Sequence, residues 1–347
     1  MKTLDDILDT QLWAGIPENT GADYEADIDT VSIAEFTGID PRLKLLSHSS
    51  RNLIHTCPRK YQLYRLNSID TEQQDINSDI TLAYGTVVGI GVQSILEGKT
   101  EVQTIMDMFL AWDIELDAAN PKQKKSFSEA IFAVQRFIVM MENGYLSDYE
   151  LVYIGMTPDS TISAIELSFK INLPDDFSYR GYVDAVLKHK TTGEVLVLEC
   201  KTTRNKPNSA VYKNSGQALG YSVVLDKLFP GLSSYTVLYL VYSTSERDYT
   251  EFFFEKSLLQ RALWLQELIV EKLKIELYEE YGTYPMHGEN CFNFFRECEY
   301  LSLCTLSTDK LTKPLTAKEY TKMQEENYMF TVDFFELVES QIAKGEM

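Results

Sequence analysis

Residues 179–201 read YRGYVDAVLKHKTTGEVLVLECK, and this stretch decides the fold class. Tyr179 to His189 reads as a strand, Thr191-Thr192-Gly193 as a turn, and Glu194 to Lys201 as the next strand. Period two places Glu199 and Lys201 on one face of that strand and Cys200 on the other. If the two strands are antiparallel neighbours, Asp184 approaches the Glu199–Lys201 pair. Two carboxylates alone repel one another, and a hard divalent cation resolves the repulsion. Mg²⁺ takes carboxylate oxygens, keeps several waters and can also bind a substrate phosphate. A lysine in such a site orients or helps deprotonate a water, or neutralises developing charge. The bland alternative is a set of solvated charges at a strand edge.

Working outward, Ile162 to Asn172 alternates apolar and polar residues and reads as a preceding strand. Residues 208–228 read as a helix ending near Pro230. Ser234 to Ser243 and Tyr249 to Glu255 are two further strands joined by a polar loop. An amphipathic helix spans about 257–281, with Leu263, Leu273 and Leu277 among its apolar positions. Upstream, one helix runs from a cap at Ser49 through Cys57 to Leu66, with a kink or restart at Cys57-Pro58. Residues 66–80 are loop-like, and helices follow at about 84–97, 102–116 and 122–143. A last helix covers about 316–343. The order of elements is that of an α/β (α+β) core with helical decoration. The organisation expected is an acidic arm at 1–45, a helical region at 46–150, a core at 151–285, and a Cys-rich loop with a final helix at 286–347.

The chain has 347 residues and a formal charge of −20. That charge excludes indiscriminate coating of nucleic acid, which domains of strongly basic balance perform. The acids are unevenly spread: residues 41–65 carry six bases and no acid. A second basic run, Lys201, Arg204, Lys206 and Lys213, has no acid between 200 and 225. Arg59, Lys60, Arg65 and Arg204 are therefore the candidates for contact with DNA phosphates. Ordinary surface variation is the competing explanation. No apolar run reaches the length of a membrane span. The start, MKTLDDILDT, lacks the apolar segment of a secretory signal, so a cytoplasmic location is expected and no membrane partner.

Five cysteines, an odd number, make a poor disulfide framework. Cys57 precedes Pro58-Arg59-Lys60-Tyr61. Cys291, Cys298 and Cys304 lie in CFNFFRECEYLSLC. Four thiolates suit an iron–sulfur cluster or a closed zinc site, and buried reduced cysteines are the remaining reading. Cys200 reads as core, with its backbone carbonyl a candidate metal contact.

With Asp184, Glu199 and Lys201 as its motif, the chain resembles the PD-(D/E)XK nuclease superfamily over about residues 45–305. Gln217 and Tyr221, four apart on the helix after the Lys strand, resemble the Gln-x-x-x-Tyr element of the RecB-like branch. Glu166 resembles a supporting acid of that branch. The resemblance implies a restriction-endonuclease-like mixed sheet flanked by helices, with the chain's ends joined by the cysteines. It implies Mg²⁺ or Mn²⁺ at Asp184, Glu199 and the Cys200 carbonyl, and a [4Fe–4S] cluster on Cys57, Cys291, Cys298 and Cys304. One departure stands out. Where the family's Gly-x-x-x-His element begins at Gly85, Gly89 occupies the histidine's place, and Gln93 lies one turn on. The six residues between Cys291 and Cys298 are closer to a phage exonuclease pattern. The implied activity is metal-dependent hydrolysis of DNA, as an exonuclease in recombination, repair or phage DNA processing, with a recombination or strand-annealing protein as a possible partner. An adaptation-type nuclease that trims DNA ends before integration is a further reading. The rival from another class is a catalytically inactive iron–sulfur scaffold subunit that binds DNA.

Overall fold

Val195 to Glu199 is buried at every residue. A strand buried on both faces reads as a continuous apolar run, and both of its neighbours and both covering layers are then protein. In the computed structural model, which describes residues 30–31, 38–66, 76–119, 124–157, 160–232, 234–293, 296–307 and 311–344, this strand lies within an eight-stranded mixed sheet. In chain order the strands are β1 Leu45–Leu46, β2 Tyr149–Leu151, β3 Ile165–Asn172, β4 Ser178–His189, β5 Val195–Thr203, β6 Ser234–Ser243, β7 Asp248–Ser257 and β8 Phe330–Asp333. The spatial order is β7-β6-β5-β4-β3-β8, with β1 and β2 both paired to β4. Pairs β3–β4, β4–β5 and β6–β7 are antiparallel, while β5–β6 and β3–β8 are parallel.

Helices cover the sheet: α1 His48–Thr56, α2 Pro58–Arg65, α3 Ile76–Leu96, α4 Glu101–Ala111, α5 Phe127–Glu142, α6 Ala210–Lys213, α7 Gly216–Gly220, α8 Ser222–Leu228, α9 Leu258–Glu280 and α10 Phe334–Ala343. Val92 of α3 and Phe137 of α5 pack with Leu196, Leu198, Leu238 and Leu240. Val197, Val237, Tyr239, Tyr221 and Trp264 belong to the core on the other face. Neighbouring positions of β5 thus point into different layers, as its pleat requires. A smaller unit consists of residues 1–35 and 314–325. Within it Thr30–Val31 pairs antiparallel with Leu315–Thr316, and a helix spans Ala317–Glu325.

The mixed sheet flanked by helices agrees with the fold class read from sequence. Several boundaries differ. The helical stretch expected over 49–66 restarts at Pro58, one of the two outcomes expected there, because Cys57 is extended (φ −162°, ψ 108°). Proline fits a first helical position, whose N–H has no intrahelical partner. The cap of α1 is Ser47, in a reciprocal capping box with Ser50, and Ser49 is inside the helix. The helix expected over 208–228 is broken into α6, α7 and α8. Gly220 lets α7 approach the core so closely that a Cβ there would lie 3.2 Å from Trp264 and Tyr179. The helix expected over 316–343 is interrupted by β8, which buries Val332 and lies parallel to β3. Ala164 separates β3 from a hairpin of 153–157 with 160–163. The loop expected at 66–80 lies outside the described residues at 67–75, and α3 already begins at Ile76. Of the acidic arm, residues 1–29 and 32–37 lie outside the described residues, while Leu43 is core.

Gly91 shows how tightly α3 is packed. A Cβ built there would lie 2.3 Å from Val134 and 2.9 Å from the Met108 sulfur, so α4 and α5 leave room for hydrogen alone. Gly91→Val is expected to lower stability by about 1–3 kcal/mol through overpacking, read as a reduced urea midpoint. An unchanged midpoint would show that the three helices separate at no cost.

Candidate active site

The β4–β5 ladder runs from Lys188↔Val195 to Ala185↔Leu198 and then stops. One step further Asp184 and Glu199 would face each other. Instead the Cys200 backbone N–H donates to Asp184 Oδ2 at 3.1 Å, so a side chain takes the place of the ladder carbonyl. Beyond this point the strands diverge, and Leu45–Leu46 pairs with Ser178–Tyr179 on β4. The other side of β4 is irregular at the same level. Ile165 pairs with Ala185 and Leu167 with Val183, and no bridge joins Glu166 to Asp184. Glu166 has a left-handed backbone (φ 49°), a conformation that costs a non-glycine residue on the order of 1 kcal/mol and collects at functional sites. The core assignment of β4 changes across Asp184: Val183 faces one layer, Ala185 and Leu187 the other.

Three carboxylates consequently approach one another. The Asp184 carboxyl is held well above its ordinary range, first by burial and then by the Glu199 charge, with Glu166 adding to the effect. Glu199 is buried, and both of its oxygens are engaged. Oε1 meets Lys201 Nζ at 2.5 Å and accepts from Gln217 Nε2 at 2.8 Å, and Oε2 accepts from the Tyr221 hydroxyl. Gln217 turns its amide oxygen to Lys201 Nζ at 3.0 Å. One glutamine therefore links the acid and the lysine. Burial acts to lower the Lys201 pKa, but the Glu199 and Asp184 charges more than offset it, and the result lies above the usual lysine value. The two carboxylates thus favour the charged form of Lys201.

Glu166 accepts from Gln93 Nε2 at 2.7 Å. Its pKa is raised by burial and by Glu199, while the Gln93 bond acts in the opposite sense. Gln93 of α3 thus reaches the site, whereas Gly89 leaves open space: a Cβ there meets nothing within 4 Å. Cys200 lies on the face away from Glu199, against residues of the α3 and α5 layer, and burial pushes its thiol pKa up, as a core role requires. Among the described residues no three His, Cys, Asp or Glu side chains already stand in an arrangement that could hold a metal ion. The full engagement of Glu199 accounts for this on the acidic side.

The four other cysteines line one cavity of about 540 Å³. None forms a disulfide. Burial raises the Cys304 thiol pKa, and Cys298, Cys57 and Cys291 act on it in the same direction. The tail is tied to the α1–α2 junction around them. Arg59 N–H donates to the Pro285 carbonyl at 3.1 Å, Asn290 Nδ2 to the Thr56 carbonyl at 2.7 Å, and Cys298 N–H to the Cys291 carbonyl at 2.8 Å.

The basic residues do not all lie where the charge count suggested. Arg59 is buried and donates to the Cys304 and Leu306 carbonyls at 3.3 and 2.7 Å. Arg65 donates to the Arg42 carbonyl at 2.6 Å. Lys60 pairs with Glu299 at 3.1 Å beside the cysteine cavity. Each of these three thus has a partner within the fold, and Arg59 and Lys60 also bind the tail. Arg204 is exposed, near Lys125. What the sequence did not reveal is His48, brought to Lys201 by α1; its only local signal is its place in the basic island.

The bond from Tyr221 is the most enclosed of the site. Tyr221→Phe leaves a buried carboxylate oxygen without its donor, an expected loss of about 1.5–3 kcal/mol by urea unfolding. A phenylalanine variant as stable as the parent would show that Glu199 does not depend on this hydroxyl.

The profile of the PD-(D/E)XK nuclease superfamily matches residues 45–305. A comparison with curated proteins gives no match. Among solved structures, a proposed exonuclease from Eubacterium rectale is similar at 11% identity, with 84% of this chain and 98% of that chain covered and a TM-score of 0.41. The structure of SSO0001 is similar at 13% identity, with coverages of 72% and 94% and a TM-score of 0.27. The family match spans well over half of the chain, and the protein belongs to the PD-(D/E)XK nuclease superfamily.

Proposed function

We propose that the protein is a divalent-metal-dependent deoxyribonuclease of the RecB-like branch, an exonuclease serving recombination, repair or phage DNA processing. The observation that carries this reading is the meeting of Asp184, Glu199 and Lys201 where β4 and β5 part, with Gln217 bonded to both Glu199 and Lys201. Members of the superfamily generally use Mg²⁺ or Mn²⁺, and the oxygen donors here have the chemistry such a cation selects. Asp184 and Glu199 would hold the ion, with the Cys200 carbonyl as a further donor and Glu166 as support. A bound ion would lower the pKa of a water and stabilise charge at the phosphoryl centre.

The chain's own residues supply the rest. Lys201 has three N–H donors, and two are directed to Glu199 and Gln217. The third is available to a substrate oxygen or the attacking water. Gln217 fixes the ammonium and Tyr221 fixes Glu199, so neither charge must reorganise as the phosphoryl group gains negative charge. The water adds to phosphorus and passes its proton to a phosphate oxygen or to solvent, the P–O bond to the leaving oxygen breaks, that oxygen takes a proton from solvent, and no covalent enzyme intermediate is formed. With Mn²⁺ and labelled single- or double-stranded DNA, Asp184→Ala and Lys201→Ala are expected to fold normally and cut nothing. Full activity in Lys201→Ala would refute this mechanism. Mn²⁺ should raise the melting temperature of the parent protein and not of Asp184→Ala.

A second reading, an iron–sulfur DNA-binding subunit without catalysis, is favoured by one observation: Gly89 presents no side chain where a ligand would project. The absence of cleavage by the parent protein with either metal, together with retained DNA binding, would decide for it. A recombination or strand-annealing protein is the partner either reading would involve.

We further propose that Cys57, Cys291, Cys298 and Cys304 hold a [4Fe–4S] cluster. The support is the donor set: four cysteines without disulfides line one cavity, and four thiolates complete the cluster's ligation, although their side chains would have to move to ligate it. Zinc is the alternative occupant. Anaerobically purified protein should be brown, with broad absorbance near about 400 nm that Cys298→Ser loses. A colourless protein with one zinc per chain would assign zinc, and a colourless metal-free protein would remove both.

A further inference from the structure

Lys201 and Gln217 also border a cavity of about 610 Å³, whose other lining residues the mechanism above does not use. Its walls are the first turns of α1 and the segment from Val211 to Gln217. In a chain with 52 acidic residues, none of the residues lining this cavity is Asp or Glu. Its polar side chains, among them His48, Ser49, Asn52, Asn214 and Gln217, are neutral donors and acceptors, and its one charge is Lys201, which pairs with Glu199. Cationic groups act on the space: His48 is held down at about 4, by burial first and then by Lys201 and Arg51. Asn52 Nδ2 lies 3.2 Å from His48 Nε2, which ties these two side chains together.

The remaining wall is apolar and rigid. Tyr212 stacks on Phe252, with ring centroids 5.7 Å apart, and lies 5.0 Å from the buried Tyr239 ring. Val211 beside it is 69% exposed. Such a wall next to a cationic end is complementary to a base joined to a phosphate, because a base stacks on aromatic surface whatever its sequence. The volume falls within the range of about 300–1,000 Å³ that small-molecule sites occupy.

We propose that this cavity binds one nucleotide of a single DNA strand, adjoining the scissile phosphate. The nucleotide's phosphate lies at His48 and Lys201, and its base lies against Tyr212 and Val211. The assignment deepens the nuclease reading and rests on it for the word scissile; the binding itself does not need cleavage. It makes His48, Asn52 and Asn214 positioning residues for the strand.

Asn52 and Asn214 are exposed, so Asn52→Asp and Asn214→Asp add charge without changing shape or core. The full chain is titrated into a fluorescein-labelled single-stranded oligonucleotide with Ca²⁺ in place of Mg²⁺, and anisotropy is read. The double variant is expected to bind about tenfold more weakly. Gln266→Glu on the exposed side of α9 should bind as the parent does. In Mn²⁺ the double variant should show a raised KM with kcat within about twofold. A deoxynucleoside monophosphate should compete for the parent protein more strongly than inorganic phosphate does. If the double variant does not fold, as circular dichroism would show, Val211→Asp replaces it, with the same loss expected. Parent-like binding by the carboxylate variants overturns the proposal, as does equal competition by inorganic phosphate. A parent protein that cuts no DNA but loses oligonucleotide binding with these changes retains the nucleotide cavity and removes the nuclease reading. Normal cutting with unchanged binding does the reverse.

Discussion

The departure of β5 from β4 is the constraint on which the rest of the site depends. A buried ladder does not end without satisfying its polar groups, and here Asp184 accepts the Cys200 N–H that a ladder carbonyl would otherwise take. The same carboxylate is thus a structural end-stop and a member of the acidic cluster. The parting of the strands creates the opening, and β1 occupies part of the other end of β4. Because α1 follows β1 after a single residue, the position of β1 carries His48 and Asn52 to the cavity beside Lys201. Glu166, with its left-handed backbone, marks the matching irregularity on the opposite side of β4. A β-bulge-like break re-aims a side chain, and here it keeps the Glu166 carboxylate within reach of Gln93.

Glu199 shows how such a site is kept preorganised. Burying a carboxylate is costly unless its oxygens are hydrogen-bonded and its charge is paired. Lys201, Gln217 and Tyr221 meet both requirements. The interaction is reciprocal: the field that retains the Lys201 proton is that of Glu199 and Asp184. The pairing keeps the ammonium and the carboxylate in fixed positions relative to one another.

β3 was legible because it alternates with period two, and β4 to β6 because turn residues bound their apolar runs. Asp184, Glu199 and Lys201 could be grouped from strand pairing alone, and Gln217 and Tyr221 do reach Glu199. Their route differs from the one expected: α7 ends at Gly220 and Tyr221 lies at the junction with α8, so close packing against Trp264, and not one continuous helix, sets their positions. β8 was hidden because four residues of weak alternation inside a helical pattern acquire strand geometry only from their long-range partner Phe169–Asn172. The conformation of Glu166 has no sequence signal, since nothing in ILE-type alternation specifies a positive φ.

The charge pattern acquires its internal partners only in the fold. All six bases of residues 41–65 have partners within the fold. Arg42 bonds to Asp40, Lys44 to the Asp175 carbonyl, Arg51 to Glu271, Arg59 to tail carbonyls, Lys60 to Glu299, and Arg65 to the Arg42 carbonyl. A local charge of +6 is therefore partly balanced within the fold. Much of this charge offsets acids and carbonyls from distant segments, and Arg59 and Lys60 secure the cysteine-bearing tail. What favours an anionic strand instead is a short-range feature: a cavity free of carboxylates around a lysine that acids hold in its charged form. In an acidic protein, repulsion elsewhere and one cationic opening together direct a polyanion to a single place, and the sign of the net charge then contributes to selectivity without excluding DNA.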